Sequence, residues 1–392
     1  MSNLKKKKEK EEERWSKGLP EDILQLIPQR LCISDYRVFR QVCPNWRAAV
    51  DRGIATKTCP PAPQFPWLLH KCLSSLNGFY IEHQYSLVTD PRFFRSAYSC
   101  STSPDCVGSI GAWLIIAAKD QYRHNNNNIT IIDNFLLNPV SWARVMLPSQ
   151  STINRPDSSH TLFFKKVVAS SPPTSLKQQQ QDLIVAGLGC GVLAVCRPTD
   201  TSWTVITIRK GLLFRDIEII DGKLYAVTTV NELMIYDILP AHVDVYRDER
   251  LVVLSNDPVR LEWGWGRAWV PYLVKDSASK ELFMIIHKIS FSQKKRGLFR
   301  VFKREFDTDG GARWEEVVDL GDRILFLSGA SNKFIHDKTL GKNCIYFAFN
   351  DDDFGVHSLT NRTIKPLALP EGYTNNIHCA NNRTLWFTPH PW

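Results

Sequence analysis

The sequence predicts an α+β multidomain chain in which a small three-helix unit precedes an all-β propeller of about six blades. Three observations carry this. Helix signals crowd into residues 15–55 and then stop. Short β-rich runs bounded by Gly, Asn, Asp and Pro fill the rest of the 392 residues. Those runs recur in groups with a period of about 40 to 50 residues, the spacing of propeller blades.

Residues 1–14 carry six Lys or Arg against four Glu and almost no apolar side chain, so they are expected to be disordered. Lys5–Lys8 has the composition of a short nuclear-import signal. The first helix is expected to open at Pro20, where the missing N–H costs nothing, with Glu21 and Asp22 in the first turn facing the positive end of the dipole. Ile23, Leu26 and Ile27 form one apolar stripe, while Leu24, Ile27 and Leu31 lean to a second. A helix apolar on two sides must bury two sides. Pro28 is expected to kink or stop it. Ser34 and Asp35 offer a cap for a second helix bearing Tyr36, Phe39 and Val42. Pro44 starts a third, with Trp46 and Val50 inward. So small a unit buries too little surface to be self-sufficient, and the exposed remainder points to a partner.

The Pro-rich segment 56–64, containing Cys-Pro-Pro-Ala-Pro, reads as a linker, and residues 65–392 as the β domain. Strand quartets are expected across 161–209, 213–247, 268–318 and 323–366, with Asp221-Gly222 as a two-residue hairpin turn. The repeat lacks the markers of WD and kelch repeats, leaving five or seven blades open beside six. Closure is expected to pair Ile377–Ala380 and Thr384–Phe387 with strands near Phe79–Val88, because a closed ring leaves no long edge.

Composition excludes several function classes. No stretch approaches the ~18 to 20 apolar residues of a membrane helix. The charged start has no secretory core, so all ten cysteines are expected to be free thiols and the protein to reside in the nucleus or cytoplasm. The net charge of +9 is dispersed rather than striped, which argues against nucleic acid, and Lys294-Lys295-Arg296 reads as a solvated loop. Gly187-Leu-Gly189-Cys-Gly191 runs into another strand, so it reads as a hairpin rather than a phosphate cradle, and Gly264-Trp-Gly266 as a packed loop. Cys100 with Cys106 and Cys190 with Cys196 are too widely spaced for structural zinc, and Asp351-Asp352-Asp353 lacks the pattern of a calcium loop. No catalytic residue, metal or cofactor is expected.

Leu19-Pro20, Ile23-Leu24, Ile27, Arg30-Leu31, Phe39-Arg40, Val42-Cys43 and Trp46-Arg47 together resemble an F-box, the motif that docks a Skp-type adaptor of cullin-RING ubiquitin ligases. Pro28 departs from that pattern. Residues from about 65 to 390 resemble the β-propeller that follows the F-box in a large plant family sometimes labelled F-box/kelch-like. Leu137-Asn138-Pro139, Tyr225-Ala226-Val227, Asn343-Cys344-Ile345-Tyr346-Phe347 and Trp386-Phe387-Thr388-Pro389 are among the matching stretches. The resemblance implies a substrate-recognition subunit of a Skp–cullin–F-box ligase that is not itself an enzyme. Its adaptor contacts would be Leu19, Pro20, Ile23, Leu24, Ile27, Leu31, Phe39, Val42, Cys43 and Trp46. The partners implied are the adaptor, through it cullin and RING, and a protein target that the sequence does not name; neither nucleic acid nor membrane is expected. Leu19, Ile23, Leu24 and Ile27 are expected to be partly exposed until the adaptor covers them, and each of the two domains is expected to work alone. The rival readings are a propeller scaffold outside any ligase and a propeller enzyme with a central-channel site.

Overall fold

The structure is a computed structural model. It describes residues 18–31, 33–56, 65–73, 79–86, 94–98, 105–124, 127–153, 164–173, 182–189, 191–206, 208, 213–229, 232–238, 243–249, 267–290, 299–306, 312–337, 342–349, 354–367 and 384–390. The expectations for Lys5–Lys8, the Pro-rich linker beyond Thr56, Gly264-Trp-Gly266, Lys294–Arg296, Asp351–Asp353, Ile377–Ala380, Cys100 and Cys190 fall outside these residues. Among the described residues, no helix is long and apolar enough to cross a membrane.

Among the described residues, three helices precede the strands: α1 (Glu21–Leu26), α2 (Ile33–Gln41) and α3 (Pro44–Thr56). Pro20 lies just before α1 rather than inside it, and its carbonyl accepts the Leu24 N–H at 3.1 Å. The α-helix ends at Leu26, and Pro28–Arg30 forms a tighter 3-10 turn in place of the last turn of α1. One correction concerns the second cap. Ser34 and Asp35 lie inside α2, which already starts at Ile33, so Asp35 serves as first-turn charge and not as a cap.

Six sheets follow. The first holds β1 (Trp67–Leu73), β2 (Phe79–Ser86) and β3 (Phe94–Tyr98), and the second β4 (Asp105–Ile110), β5 (Trp113–His124), β6 (Asn127–Leu137) and β7 (Arg144–Leu147). The third holds β8 (Lys166–Ala169), β9 (Val185–Gly189), β10 (Val192–Cys196) and β11 (Thr204–Ile206). The fourth is β12 (Phe214–Ile220), β13 (Lys223–Thr228), β14 (Leu233–Ile238) and β15 (Val243–Glu249). The fifth is β16 (Arg267–Lys275), β17 (Leu282–Ser290), β18 (Phe299–Phe306) and β19 (Ala312–Val317). The sixth contains β20 (Arg323–Ser328), β21 (Lys333–His336), β22 (Cys344–Ala348), β23 (Phe354–Ser358) and β24 (Thr363–Lys365). In the sixth, β21 pairs antiparallel with β20 at the end of the sheet that meets β16, and β20 pairs with β22 in parallel. The four quartets expected from the sequence correspond to the third to sixth sheets.

The last strand, β25 (Thr384–Phe387), returns to the first sheet and pairs with β1, setting Phe387 opposite Trp67 and Thr384 opposite His70. Closure therefore falls one strand inward of the β2 region that the sequence suggested. Strands β4, β8, β12 and β16 each pack against the next, β16 meets β21, β20 meets β25, and β25 returns to β4, which completes the inner ring. The Asp221-Gly222 turn has φ of 47° and 75°, the mirror-image geometry whose twist suits a hairpin. The Gly187 stretch is likewise a strand and hairpin, and a Cβ at Gly187 would lie 2.7 Å from the Phe164 ring. Cys43, Cys106, Cys196 and Cys344 are free thiols.

One apolar cluster spans both parts of the chain. Leu24, Ile33, Tyr36, Phe39, Ala49 and Val50 of the helices are continuous with Trp67, Leu69, Leu114, Ile116, Leu385 and Phe387 of the first two blades. The helices are thus built onto the sheet that closes the ring.

Candidate functional site

The helical unit is held by a small set of cross-links. Arg52 on α3 donates to Glu21 on α1 at 2.6 Å, and Arg40 on α2 donates to Asp51 on α3 at 2.7 Å. The rings of Phe39 and Trp46 lie 4.3 Å apart. These contacts fix the three helices while leaving apolar side chains on the outside.

The ten expected adaptor residues divide by exposure. Ile23 and Val42 are exposed at 37% and 53%, and Pro20 is also exposed. Leu19, Ile27, Leu31 and Trp46 are half-buried against the helical core, and Cys43 is half-buried. Leu24 and Phe39 are buried at 4% and 6%. Leu24 was expected to be partly exposed; instead it seals α1 from within, because the Leu24 side of the helix faces α3 and the propeller cluster. Two exposed apolar residues were absent from the expected set: Leu26 at 53% and Val38 at 62%. Leu26 was legible as part of the Ile23 stripe, whereas Val38 lies beside the inward-facing Phe39 and off the stripe read from Tyr36, Phe39 and Val42.

The propeller holds a second constellation that the sequence did not reveal. Asp216 and Glu218, both on β12, are buried near the ring centre. Lys166 meets Asp216 at 2.5 Å and Lys275 meets Glu218 at 3.2 Å. Burial pushes the Asp216 carboxyl up, and Lys166 together with the Leu273 and Ile217 amides works against that rise. Asp216 accepts from Leu273 at 2.8 Å, and Asn332 bridges Asp216 at 3.4 Å and the Leu273 carbonyl at 3.2 Å. On the opposite arc the hydroxyls of Ser109 and Ser331 both lie 2.8 Å from the Trp386 carbonyl. These bonds join β4, β8, β12, β16 and β25 across blade boundaries, so the buried carboxylates act as rivets between inner strands. Both carry a lysine partner and neither is open to solvent, which argues against an acid–base pair. On β21, Lys333 has its Nζ sealed from water without a hydrogen-bond partner among the described residues, and burial lowers it to about 7.

Between the fifth and sixth blades, Asp276 is held at about 2: burial opposes this, but hydrogen bonds from His336, the Ala278 amide, Ser279 and Arg323 prevail. The bond to Asp276 in turn raises His336. A cleft of about 430 Å³ opens elsewhere on the same boundary, lined among others by Lys288, Arg300, Glu316, His357 and Arg362. Its residues come from the consecutive strands β16–β19 of the fifth blade and from β23 and the turn after it in the sixth, and no single stretch of sequence announces them.

A short three-helix F-box unit fused to a closed six-sheet ring defines the class, an F-box protein with a β-propeller. The F-box domain family model matches residues 17–54, and the KIB1-4 beta-propeller family model matches residues 85–377. The latter spans most of the chain, which belongs to the KIB1-4 β-propeller family. The F-box protein At2g17036 of Arabidopsis thaliana is 22% identical over 423 residues, covering 95% of this chain and 93% of that protein. A second Arabidopsis thaliana relative, At5g66830, whose name also carries the F-box, is 22% identical over 416 residues, covering 96% and 93%. Among solved structures, the N-terminal domain of Nup159 is similar at a TM-score of 0.34 and 10% identity over 66% of this chain and 63% of that one, too remote to bear on function.

Proposed function

We propose that this chain is the substrate-receptor subunit of a Skp–cullin–F-box ubiquitin ligase. The observation that carries this reading is a packed F-box unit that still presents Ile23, Leu26, Val38 and Val42 to solvent. The F-box domain implies a Skp-type adaptor, and through it cullin and a RING subunit. The propeller would hold a protein target, and no catalytic step falls to this chain. Holding the target beside the charged ubiquitin carrier makes transfer quasi-intramolecular, with an effective concentration of about millimolar. A nuclear or cytoplasmic residence goes with this proposal, and imaging of a fluorescent fusion tests it.

Capture of a Skp-type adaptor by the full chain decides the matter. Ile23→Asp and Leu26→Asp place a charge on exposed apolar positions, so the fold should survive while adaptor affinity falls by about tenfold or more. If the parent chain captures no adaptor, or both variants capture it as well as the parent, the receptor reading fails and a ligase-independent scaffold takes its place.

A further inference from the structure

The cleft between the fifth and sixth blades lies where β16 and β18 begin and β17 and β19 end, opposite the turn from β23 to β24. Its volume of about 430 Å³ suits a few side chains of a bound peptide. Val301, Val317 and Leu359 supply an apolar part of the lining beside its charged residues. Arg300 grips Glu316 with two bonds, of 2.7 and 2.5 Å, so that carboxylate is already occupied. Lys288 lies 5.0 Å above the Trp269 ring, and among the described residues neither it nor Arg362 forms an ion pair with a carboxylate. The cleft therefore carries three cations against one anion.

A second observation points the same way. His357 lines the cleft at 1% exposure, and its Nδ1 has no hydrogen-bond partner among the described residues. A buried polar atom left unpaired in a native fold is rare. Burial, with Arg362 adding to it, keeps this imidazole neutral near pH 7, its value lowered to about 4. It is thus able to donate or accept toward a ligand's peptide group. The aromatic faces nearby are taken: Trp269 by Lys288, and Phe299 by His287 at 4.4 Å. Single-stranded nucleic acid needs free aromatic platforms, so a peptide fits better.

We propose that this cleft binds an acidic peptide segment, with an apolar side chain entering between Val301, Val317 and Leu359 and flanking anions pairing with Lys288 and Arg362. The inference rests on the receptor reading above and assigns the recognition of its target to one place. The anions are the carboxylates of Asp or Glu in the bound segment.

Panning of random phage-displayed dodecapeptides on the immobilised full chain tests it. Enriched peptides should be net acidic around a central apolar residue. The best of them, synthesised with a fluorescent label, should bind Lys288→Glu/Arg362→Glu roughly tenfold more weakly, and should weaken as salt rises. Val318→Asp, at a rim position 68% exposed, should weaken it too without threatening the fold. No enrichment, no acidic bias, or unchanged affinity in both variants would overturn the proposal, as would an RNA hexamer that binds the same residues more tightly than the peptide. Adaptor capture measured on the same variants should match the parent. Loss of peptide binding with adaptor capture intact places any failure in the cleft alone, whereas absent adaptor capture by the parent strikes the receptor reading.

Discussion

Between residues 23 and 42, Ile23, Leu26, Val38 and Val42 all stand exposed, while among the described residues the far longer propeller has Trp142, Met146, Val205, Leu213 and Val318 as its exposed large apolar side chains. The propeller achieves this because each blade buries both faces against its neighbours and the ring has no open inner edge. The helical unit buries one side only, against itself and the first blades. Each part keeps its incompleteness in a different place. The ring satisfies its own apolar surface and offers a cleft of mixed lining, whereas the helices leave apolar side chains exposed.

The comparison breaks most severely at Trp386. This side chain is fully buried, donates its indole N–H to Leu327 at 3.0 Å and stands on the closing strand. Trp386→Ala should cost about 3 to 5 kcal/mol in urea unfolding. Lys166→Met should follow at about 3 kcal/mol, because it strands the buried Asp216 carboxylate rather than removing a pair. A small effect there would mean that the rivets of the inner ring contribute little.

Within the helices, Leu24→Ala should cost about 2 to 4 kcal/mol, while Ile23→Ala should stay within about 0.5 kcal/mol. Only the second leaves a sound fold in which adaptor capture can be judged. Equal losses from both would erase the distinction between inward and outward stripes. Removal of residues 1–63 should lower propeller stability by about 2 kcal/mol or more, because Trp67, Leu69 and Phe387 lose the apolar cover of the helices.

The smallest effects are in pH, and they have opposite signs. His336, raised by Asp276, stabilises the fold below the ordinary histidine value, and that contribution fades as pH rises through its folded value. His287 and His357, lowered to about 4, take up protons more readily in the unfolded chain, so stability falls as pH drops from about 6.5 toward 4. His336→Gln should therefore lose more stability at pH 6 than at pH 9, and His357→Phe should flatten the acid limb of the stability curve. A flat profile in the parent would refute both assignments.

Much of this was legible in the chain. The turn at Asp221-Gly222 and the runs from Val192 to Cys196 and from Ile324 to Leu327 are local patterns, and local patterns fix strands and blade limits. The inward turn of Leu24 depends on what α1 packs against, and the partner strand of β25 depends on ring geometry; neither is written in neighbouring residues. The cleft is further from view still. Trp269, Lys288 and Glu316 belong to the fifth blade, and His357 and Arg362 join them only once the sixth blade lies beside it.

The pairing of β25 with β1 also sets an order of events during translation. The F-box helices leave the ribosome first, but the sheet they rest on lacks its innermost strand until Phe387 has been made. Until then β1 waits with an unpaired edge. A premature stop anywhere in the later blades would leave nascent helices with the adaptor stripe intact and no closed ring behind them. If the proposed receptor role holds, such fragments would sequester adaptor without delivering a target, and a nonsense allele of this chain would act as an inhibitor rather than as a simple loss.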